Sequence, residues 1–464
     1  MPNTNGQKFT SRAGEGPTLR KLTPLDHKIW GIAWPAILSN ISIPLLGLVD
    51  AAILGHLGTT SYLGAVAIGG AILSFLYWGF NFLRMGTTGL VARAEGAGDG
   101  SGALLILAQS CVLALVLALL AWLTKPLWLG IGMALMAPQL EIQPLAASYA
   151  SIRIASAPAV MLTYAIVGWF IGRQDTRWPM FIVVATNLCN IGLDFILIMG
   201  LGLQSDGAAL ATVIAEYLGL GLALYGVRSA KTAELPANTA GRLRSWSAYR
   251  LLLRSNRHLF VRTVCLLASF AFFTAMGDKL GSDTLAANAI LLQLVMLTAY
   301  GMDGFAFAAE GLAGSALGGR ALDDFYATVR RCALWCGGAA ALMSLALLAL
   351  HYPLSLLLTD LPAVREIMQV HSGWLILLPL VAAPRYLLDG VFIGSAETRP
   401  MMTTMMFSAL GVYLPCWYVT QAWGNHGLWF SFAMFNAARG MSLFACFLIY
   451  SRDQRWLPAT NPAE

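Results

Sequence analysis

The sequence predicts an all-α polytopic membrane protein, with twelve transmembrane helices in two six-helix lobes related by a pseudo-twofold axis along the membrane normal. Three observations lead to this fold class. The chain is 58% hydrophobic and 11% charged, whereas soluble domains carry about 25% charged residues. Twelve apolar runs reach the length of about 20 residues that a membrane helix needs. Distant stretches of the chain also repeat at a common offset of 222 residues.

Each predicted helix is an apolar run bounded by polar or glycine-rich residues. The predicted spans are 29–54, 62–92, 103–123, 144–171, 179–200, 207–227, 258–276, 284–316, 330–351, 367–393, 400–421 and 428–450. Because their number is even, both termini lie on the same side of the membrane.

The polar stretches divide the chain into lobes, a linker and tails. The predicted segments are a cytoplasmic tail at 1–28, an N-terminal lobe at 29–227, a cytoplasmic linker at 228–257, a C-terminal lobe at 258–450 and a second cytoplasmic tail at 451–464. The linker lies in the longest polar stretch after the first tail, near the middle of the chain, as expected between two equal halves.

Lysine and arginine set the orientation. With the N-terminus inside, 22 of the 29 basic residues fall in cytoplasmic segments and three fall in external loops. The positive-inside rule then predicts a multi-pass protein of the inner (cytoplasmic) membrane with both termini in the cytoplasm. The net charge of +6 follows from this topology, so we expect no nucleic-acid partner. A polar tail precedes the first apolar run, which argues against a cleavable signal peptide.

The internal repeat joins two pairs of regions. GWFIGRQDTR, beginning at Gly168, superposes on GVFIGSAETR, beginning at Gly390, and residues 63–98 align without gaps on 285–320. Each half holds an even number of helices, so the two halves share one orientation and their axis runs along the membrane normal. This is a transporter architecture that favours a central site between or within the lobes.

Two intramembrane acids stand out against the repeat. Asp50 lies in the first predicted helix and maps onto Phe272, while Asp194 lies in the fifth and maps onto Cys416. Symmetric packing therefore does not require either carboxylate. Since acids inside a membrane are costly and are functional by default, Asp50 and Asp194 are the leading candidates for ion coupling.

Polar residues accompany Asp194. Asn187, Asn190 and Asp194 recur at i, i+3 and i+7, which puts all three on one helix face. Thr212, on the next predicted helix, could supply a hydroxyl. Amides and a carboxylate in an apolar helix need partners or water, and hydrogen bonds that only pack helices together are the alternative interpretation.

Proline gives the first helix a means of bending. Pro44 stands six residues before Asp50. Because proline has no N–H, the carbonyl of Asn40 loses its helical partner and the helix can bend there. A bendable helix with an ionisable group just beyond the bend is a candidate switch element.

Two further charge pairs are expected to be structural. Arg153 and Glu216 are the lone charges of their helices and predict an interhelical ion pair. Arg385 and Asp389 are four residues apart and could pair along one helix.

In the second half of the chain, acidic residues concentrate in the eighth predicted helix, 284–316. Asp303 and Glu310 replace Asn81 and Thr88 of the repeat, so a secondary proton or cation route through them is possible. Asp389 is a further candidate of this second group.

Catalytic signatures are absent from the sequence. It contains no H-E-x-x-H, G-x-S-x-G, P-loop or dinucleotide fingerprint, so we expect a protein that is not an enzyme. The seven cysteines have no paired spacing, which argues against a disulfide framework or a zinc site. With no domain to hydrolyse a nucleotide, transport would need an ion gradient.

Several runs resemble a known family. WPAILSNISIPLLGLVDAAILGHLG, FLRMGTTGLVARAEGAGD, NIGLDFILIMGLGLQSDGAALATVIAEY and the repeated FIG-x-x-[DE]-TR resemble the multidrug and toxic compound extrusion (MATE) family, and within it the DinF-like branch. The likeness covers about residues 25–450, the whole predicted helical body.

The resemblance implies a mechanism and a site. It implies a V-shaped pair of six-helix bundles that exports small organic cations or amphipathic drugs in exchange for H⁺ or Na⁺ by alternating access. By motif position the ion site carries over to Asp50, Asn190, Asp194 and Thr212. The bending of the first helix would match Pro35 or Pro44.

The partner expectations follow. We expect no cofactor beyond the coupling ion, with H⁺ preferred and Na⁺ the alternative because two carboxylates, an amide and a hydroxyl also form an oxygen cage. We expect a monomer in the lipid bilayer. The competing function is a flippase for a lipid-linked oligosaccharide, which would need several cations around the central cavity to hold a pyrophosphate.

Overall fold

The computed structural model describes residues 22–55, 60–230, 234–236 and 238–457, and in this part of the chain the regular structure is helical with no β-strand. In the first helix the description of a few residues, Asp50 among them, is limited to the backbone. The predicted role of the Asp50 side chain therefore lies outside the described residues.

Helices account for nearly all of the described chain. The first half holds α1 (Pro24–Gly55), α2 (Thr60–Phe80), α3 (Phe82–Gly96), α4 (Gly100–Leu123), α5 (Lys125–Met136), α6 (Ile142–Arg153), α7 (Ala157–Gly172), α8 (Arg177–Asp194) and α9 (Gln204–Ser229). The short α10 (Thr239–Arg244) lies between the halves. The second half holds α11 (Arg250–Lys279), α12 (Ser282–Gly318), α13 (Leu322–Leu358), α14 (Pro362–Gly394), α15 (Thr398–Met406), α16 (Leu414–Thr420) and α17 (Asn425–Arg452).

These helices give the predicted fold class, which is confirmed. Ten segments of the described chain are long and apolar enough to cross a membrane, and α1 and the α15–α16 pair lie at the positions of the other two predicted spans. Several spans are interrupted: α2 meets α3 at Asn81, a 3₁₀ turn joins α6 to α7, and π-helical turns follow α8 and α15. The sequence predicted neither these interruptions nor α5, which is too short to span a bilayer.

The repeat has a structural counterpart inside each lobe. A Cβ added to Gly168 of α7 would overlap the carbonyl oxygen of Arg84 in α3, and one added to Gly390 of α14 would overlap that of Ala306 in α12. Both members of the second pair lie 222 residues beyond those of the first. The glycines of the repeated motif therefore let equivalent helices approach backbone to backbone, as small residues do in membrane bundles.

The lobes also meet through reciprocal glycine contacts. A Cβ on Gly96 of α3 would overlap the carbonyl oxygen of Ser315 in α12, while one on Gly318 of α12 would overlap that of Arg93 in α3. Each contact is the other's image under the 222-residue offset. The ends of α3 and α12 therefore close tightly on each other, and Arg93 fastens this end by donating from Nη1 to the carbonyl of Ser395, at 2.9 Å.

Helix α1 is anchored to the second lobe at its beginning. Asp26 accepts a 2.9 Å hydrogen bond from Nε1 of Trp335 in α13 and lies 3.7 Å from Arg331. The Trp30 ring packs edge-on against Phe305 of α12, with centroids 5.3 Å apart. The first turns of α1 are thus held by α12 and α13.

Candidate ion-coupling site

A group of polar residues, two buried and three half-buried, lies between α8, α9 and α1. We call Ser42, Asn187, Asn190, Asp194 and Thr212 the N-lobe polar cluster. Asn190 and Asp194 are each only 1% exposed. Asp194 is the last residue of α8, and a π-helical turn (Phe195–Gly200) follows it directly. Single π turns inside helices are frequent at functional sites.

The Asn190 amide connects the carboxylate to the hydroxyl. With its nitrogen facing Asp194, Nδ2 donates to Oδ2 at 2.8 Å. In the same orientation its oxygen accepts from the Thr212 hydroxyl at 3.0 Å and from the Thr212 backbone N–H at 3.1 Å. Asn190, Asp194 and Thr212 were all predicted to belong to the ion site. The structure links them through hydrogen bonds although they lie on two different helices.

Helices α8 and α1 run in parallel and are joined at two levels. The Thr176 hydroxyl, just before α8, donates to the carbonyl of Ile32 at 2.7 Å. Eleven residues further along, Asn187 donates to the carbonyl and the hydroxyl of Ser42, at 3.2 and 3.1 Å. The corresponding advance along α1 is ten residues, so the two helices rise together.

This register extends to the candidate coupling acid. Seven residues beyond Asn187 lies Asp194, and seven residues beyond Ser42 lies Val49, the neighbour of Asp50. Because both helices rise about 1.5 Å per residue, the backbone of residue 50 stands near the level of Asp194.

The two prolines predicted as hinges lie within the helix. Pro35 and Pro44 are both inside α1, which continues through them from Pro24 to Gly55. Each removes one backbone donor, which frees the carbonyls of Gly31 and Asn40. The hydrogen bonds from Thr176 and Asn187 reach α1 close to these two weakened turns.

Asp389, one of the candidate acids of the second lobe, is bonded to two arginines. Asp389 in α14 accepts from Nη2 of Arg439 at 2.9 Å and also from Nη2 of Arg262. The predicted pairing of Arg385 with Asp389 is therefore wrong: Arg385 lies over the ring of Tyr386, 3.9 Å from its centroid. The count of 22 cytoplasmic basic residues includes Arg262, although it lies in the predicted span 258–276. Helix α11 begins earlier, at Arg250, and Arg262 is buried at 5% exposure.

Glu310 forms an ion pair between the lobes. Its Oε2 lies 3.0 Å from Nη1 of Arg84 in α3, for which the sequence had suggested no partner. The Arg84 guanidinium also lies 4.5 Å from the ring centroid of Phe307. Asp303, one element of the predicted secondary route, is half-buried and has no ion-pair partner within the described residues.

The predicted pair of Arg153 and Glu216 is confirmed. Arg153 Nη1 lies 2.8 Å from Glu216 Oε1, and both side chains are largely buried. The hydroxyl of Tyr77 donates to the carbonyl of Arg153 at 3.3 Å. The pair ties α6 to α9 inside the first lobe.

No group of three or more histidine, cysteine, aspartate or glutamate residues that could hold a metal ion occurs in the described part of the chain. The oxygen donors of the N-lobe polar cluster are of another kind. A carboxylate, an amide oxygen and a hydroxyl suit a hard cation such as Na⁺ and serve equally well to handle a proton.

Comparison with known proteins decides the family. The MatE family model matches residues 35–196 and again residues 259–419. The chain belongs to the MatE family. The double match also reproduces the two halves of the fold, and the predicted family is confirmed.

Relatives and solved structures agree with this assignment. DNA damage-inducible protein F of Escherichia coli (strain K12) is 39% identical over 443 residues, 95% of each chain, which confirms the DinF-like branch. A probable multidrug resistance protein NorM of Thermotoga maritima is 22% identical over 426 residues, 89% of this chain and 88% of that one. The outward-facing structure of a multidrug resistance MATE family transporter matches the fold with a TM-score of 0.84 at 20% identity, over 93% of this chain and 96% of that one.

Proposed function

We propose that this MatE protein is a secondary active multidrug efflux antiporter. It exports cationic or amphipathic organic compounds in exchange for H⁺, with Na⁺ as the alternative ion, across the inner membrane. The observation that carries the proposal is the N-lobe polar cluster, in which a buried carboxylate, an amide and a hydroxyl are in contact. The name of the NorM relative supports the multidrug substrate class.

The coupling step uses Asp50 and Asp194 as one unit. Carboxylates that share a site repel each other when both are ionised, so a proton or a cation taken up by the pair relieves that repulsion. Protonation removes the negative charge that would hold a cationic drug. Proton and drug therefore compete for the same state of the first lobe, which is the requirement for exchange.

Helix α1 carries the change from the site to the lobes. Its beginning is held by the second lobe through Asp26 and Trp30, and its later turns are held by α8 through Ser42. Pro35 and Pro44 lie along this path and lower the stiffness of the helix. A bend in α1 therefore alters how the site-bearing helices sit relative to the second lobe.

The tight closure of α3 on α12 marks one end of the transport path. This end carries Arg93 and the loop residue Arg320, which the positive-inside rule assigns to the cytoplasm. With this end closed by the contacts of Gly96 and Gly318, the conformation is shut towards the cytoplasm. The ion pair of Arg84 and Glu310 lies on the same interface and must part when the lobes separate.

A flippase is the less favoured function because the candidate cations are engaged. Arg84, Arg153 and Arg439 each form an ion pair, and Arg385 lies over an aromatic ring. The ion pairs of Arg84 and Arg153 therefore leave less positive charge for a pyrophosphate in the central region.

The test is uptake of a fluorescent organic cation into inverted vesicles, with a pH gradient and a Na⁺ gradient imposed separately. We expect the pH gradient to drive uptake by the wild type. Asp50→Asn and Asp194→Asn should abolish uptake, while the matched control Asp324→Asn, an exposed acid at the start of α13, should retain it. Wild-type uptake by Asp50→Asn would refute the coupling mechanism, and uptake driven only by Na⁺ would select the alternative ion.

A further inference from the structure

A deep apolar groove lies on the outside of the second lobe, away from the N-lobe polar cluster. Its volume is about 710 Å³, and it is lined by residues of α13, α14 and α17. Helix α14 packs against both α13 and α17 and forms the floor, while the other two helices form the walls.

Small residues produce the groove. On α13 the lining positions include Ala333, Gly337 and Ala340, and on α17 they include Ala437 and Gly440. Each set recurs at helical spacing, so each forms one face of its helix. Gly337 has no heavy atom within 4 Å of a Cβ built on it, which means that its side of the groove is empty space.

The length of the groove matches one leaflet of a bilayer. Its lining on α13 runs from Val329 to Ala340, a rise of about 16 Å along the helix. The hydrocarbon core of a bilayer is about 30 Å thick. A groove that starts where α13 enters the membrane and ends at half its thickness has the dimensions of a single lipid chain.

Arg330 gives the groove a polar mouth. It is the charged residue among the lining side chains, it is exposed, and it forms no ion pair with the described residues. The remaining lining side chains are uncharged and largely apolar, including the exposed Met441 and Phe444. One cation at the headgroup level above an apolar channel is complementary to an anionic phospholipid.

We propose that this groove is a binding site for an anionic glycerophospholipid, with an acyl chain between α13 and α17 and the phosphate at Arg330. The tail before α1 has the wrong chemistry for the groove, since MPNTNGQKFTSRAGEGPTLRK is polar throughout most of its length. The site is separate from the proposed coupling residues, so it stands or falls independently of them.

The bound lipid lies against the outer face of α14. Pro384 and Leu388 of α14 line the groove, while their neighbours Arg385 and Asp389 belong to the internal charge cluster of the second lobe. A bound chain therefore supports the outer face of the helix whose inner face carries that cluster.

The experiment is native mass spectrometry of the full chain, purified after equilibration with phosphatidylglycerol and phosphatidylcholine in equal amounts. Gly337→Leu fills the groove, and Gly338→Leu is the matched control, because Gly338 is an exposed neighbour outside the lining whose Cβ also meets nothing within 4 Å. Arg330→Gln removes the cation at the mouth, and Arg257→Gln removes an exposed arginine elsewhere.

We expect the wild type, Gly338→Leu and Arg257→Gln to retain phosphatidylglycerol in preference to phosphatidylcholine. Arg330→Gln should lower that preference about fivefold, the contribution of one basic residue near anionic lipid, and Gly337→Leu should lose the bound lipid. Equal retention by both leucine variants, or equal binding of the two lipids by the wild type, would overturn the proposal. So would a dimer that Gly337→Leu dissolves, because the groove would then be an interface between copies.

Discussion

The two lobes share a fold but treat their buried acids differently. In the first lobe Asp194 accepts from the neutral amide of Asn190, which in turn contacts Thr212. In the second lobe Asp389 accepts from the guanidinium groups of Arg262 and Arg439. Charged donors hold a carboxylate in one state, whereas neutral donors allow it to exchange a proton or a cation.

Neither acid has a counterpart in the other lobe. The offset of 222 residues carries Asp194 onto Cys416 and Asp389 back onto Val167. The backbone is therefore a common scaffold on which each lobe carries its own ionic feature. We therefore propose that the first lobe couples ions and that the charge cluster of the second lobe is structural, and four predictions test this proposal.

The largest effect is expected from Asp194→Asn. Loss of the carboxylate should reduce gradient-driven uptake to the level of empty vesicles, because the amide cannot take up a proton or replace the negative charge. The melting temperature should change little, since asparagine still accepts from Asn190. If Asp194→Asn lost folding as well as uptake, Asp194 would be a structural acid. The buried acids of the two lobes would then have the same role.

The second prediction is that Asp389→Ala lowers the stability of the fold, whereas Asp194→Asn is expected to leave it nearly unchanged. Asp389→Ala leaves two arginine side chains buried without their carboxylate, and breaking a buried pair in this way costs about 3–5 kcal/mol. We expect a large drop in melting temperature and in yield. The control is the triple variant Asp389→Ala, Arg262→Met and Arg439→Met, which should recover stability. A stable Asp389→Ala protein without uptake would move coupling to the second lobe.

The third prediction concerns the ion pair of Arg153 and Glu216. Because these side chains are 15% and 18% exposed, more than those of Asp389 and its two arginines, the loss is expected to be smaller, about 1–3 kcal/mol for leaving one hydrogen-bonding partner unsatisfied. Arg153→Met and Glu216→Gln should each lower the melting temperature more than the double variant does. A double variant that loses the sum of the two single losses would mean that the contact contributes nothing to stability.

The smallest effect is expected at Asp26, where α1 meets the second lobe. Hydrogen bonds from Thr23 and Trp335 hold the pKa of the Asp26 carboxyl at about 2, below its usual value of 3.8. Since the folded-state pKa is lowered, the stability it contributes is present above about pH 4 and is lost as the pH falls towards 2.

The measurement is thermal unfolding in detergent between pH 5 and pH 3. Wild type should lose more stability over this range than Asp26→Asn, whose side chain does not titrate. Parallel pH profiles for the two proteins would show that the carboxylate does not anchor α1.

The sequence alone predicted those features of the fold and the site that depend on local residue spacing or on the internal repeat. The polar face of α8 follows from the spacing of Asn187, Asn190 and Asp194, and the two lobes follow from a repeat whose glycines prove to be close helix contacts. Arg153 and Glu216 could be matched because each is the lone charge of its helix.

Contacts between distant segments could not be derived in this way. Arg84 and Glu310 are 226 residues apart, and Asp389 takes partners 127 and 50 residues away, so no periodicity links them. The repeat did hold one usable signal, because Glu310 stands one helical turn after Ala306, the counterpart of Arg84. Combined with a reciprocal contact between α3 and α12, that spacing suggests the pair.

The reciprocal contacts of Gly96 with Ser315 and of Gly318 with Arg93 have the form of an isologous interface, the kind that joins two identical subunits about a twofold axis. In a homodimer every contact off the axis occurs twice, so an arginine facing a glutamate would have to be present in both copies or in neither. Here Arg84 faces Glu310, while the equivalent positions hold Ala306 and Thr88. Joining the halves in one polypeptide therefore permits a single ion pair between α3 and α12 on an otherwise self-complementary surface, and separating these two helices breaks one ion pair instead of two.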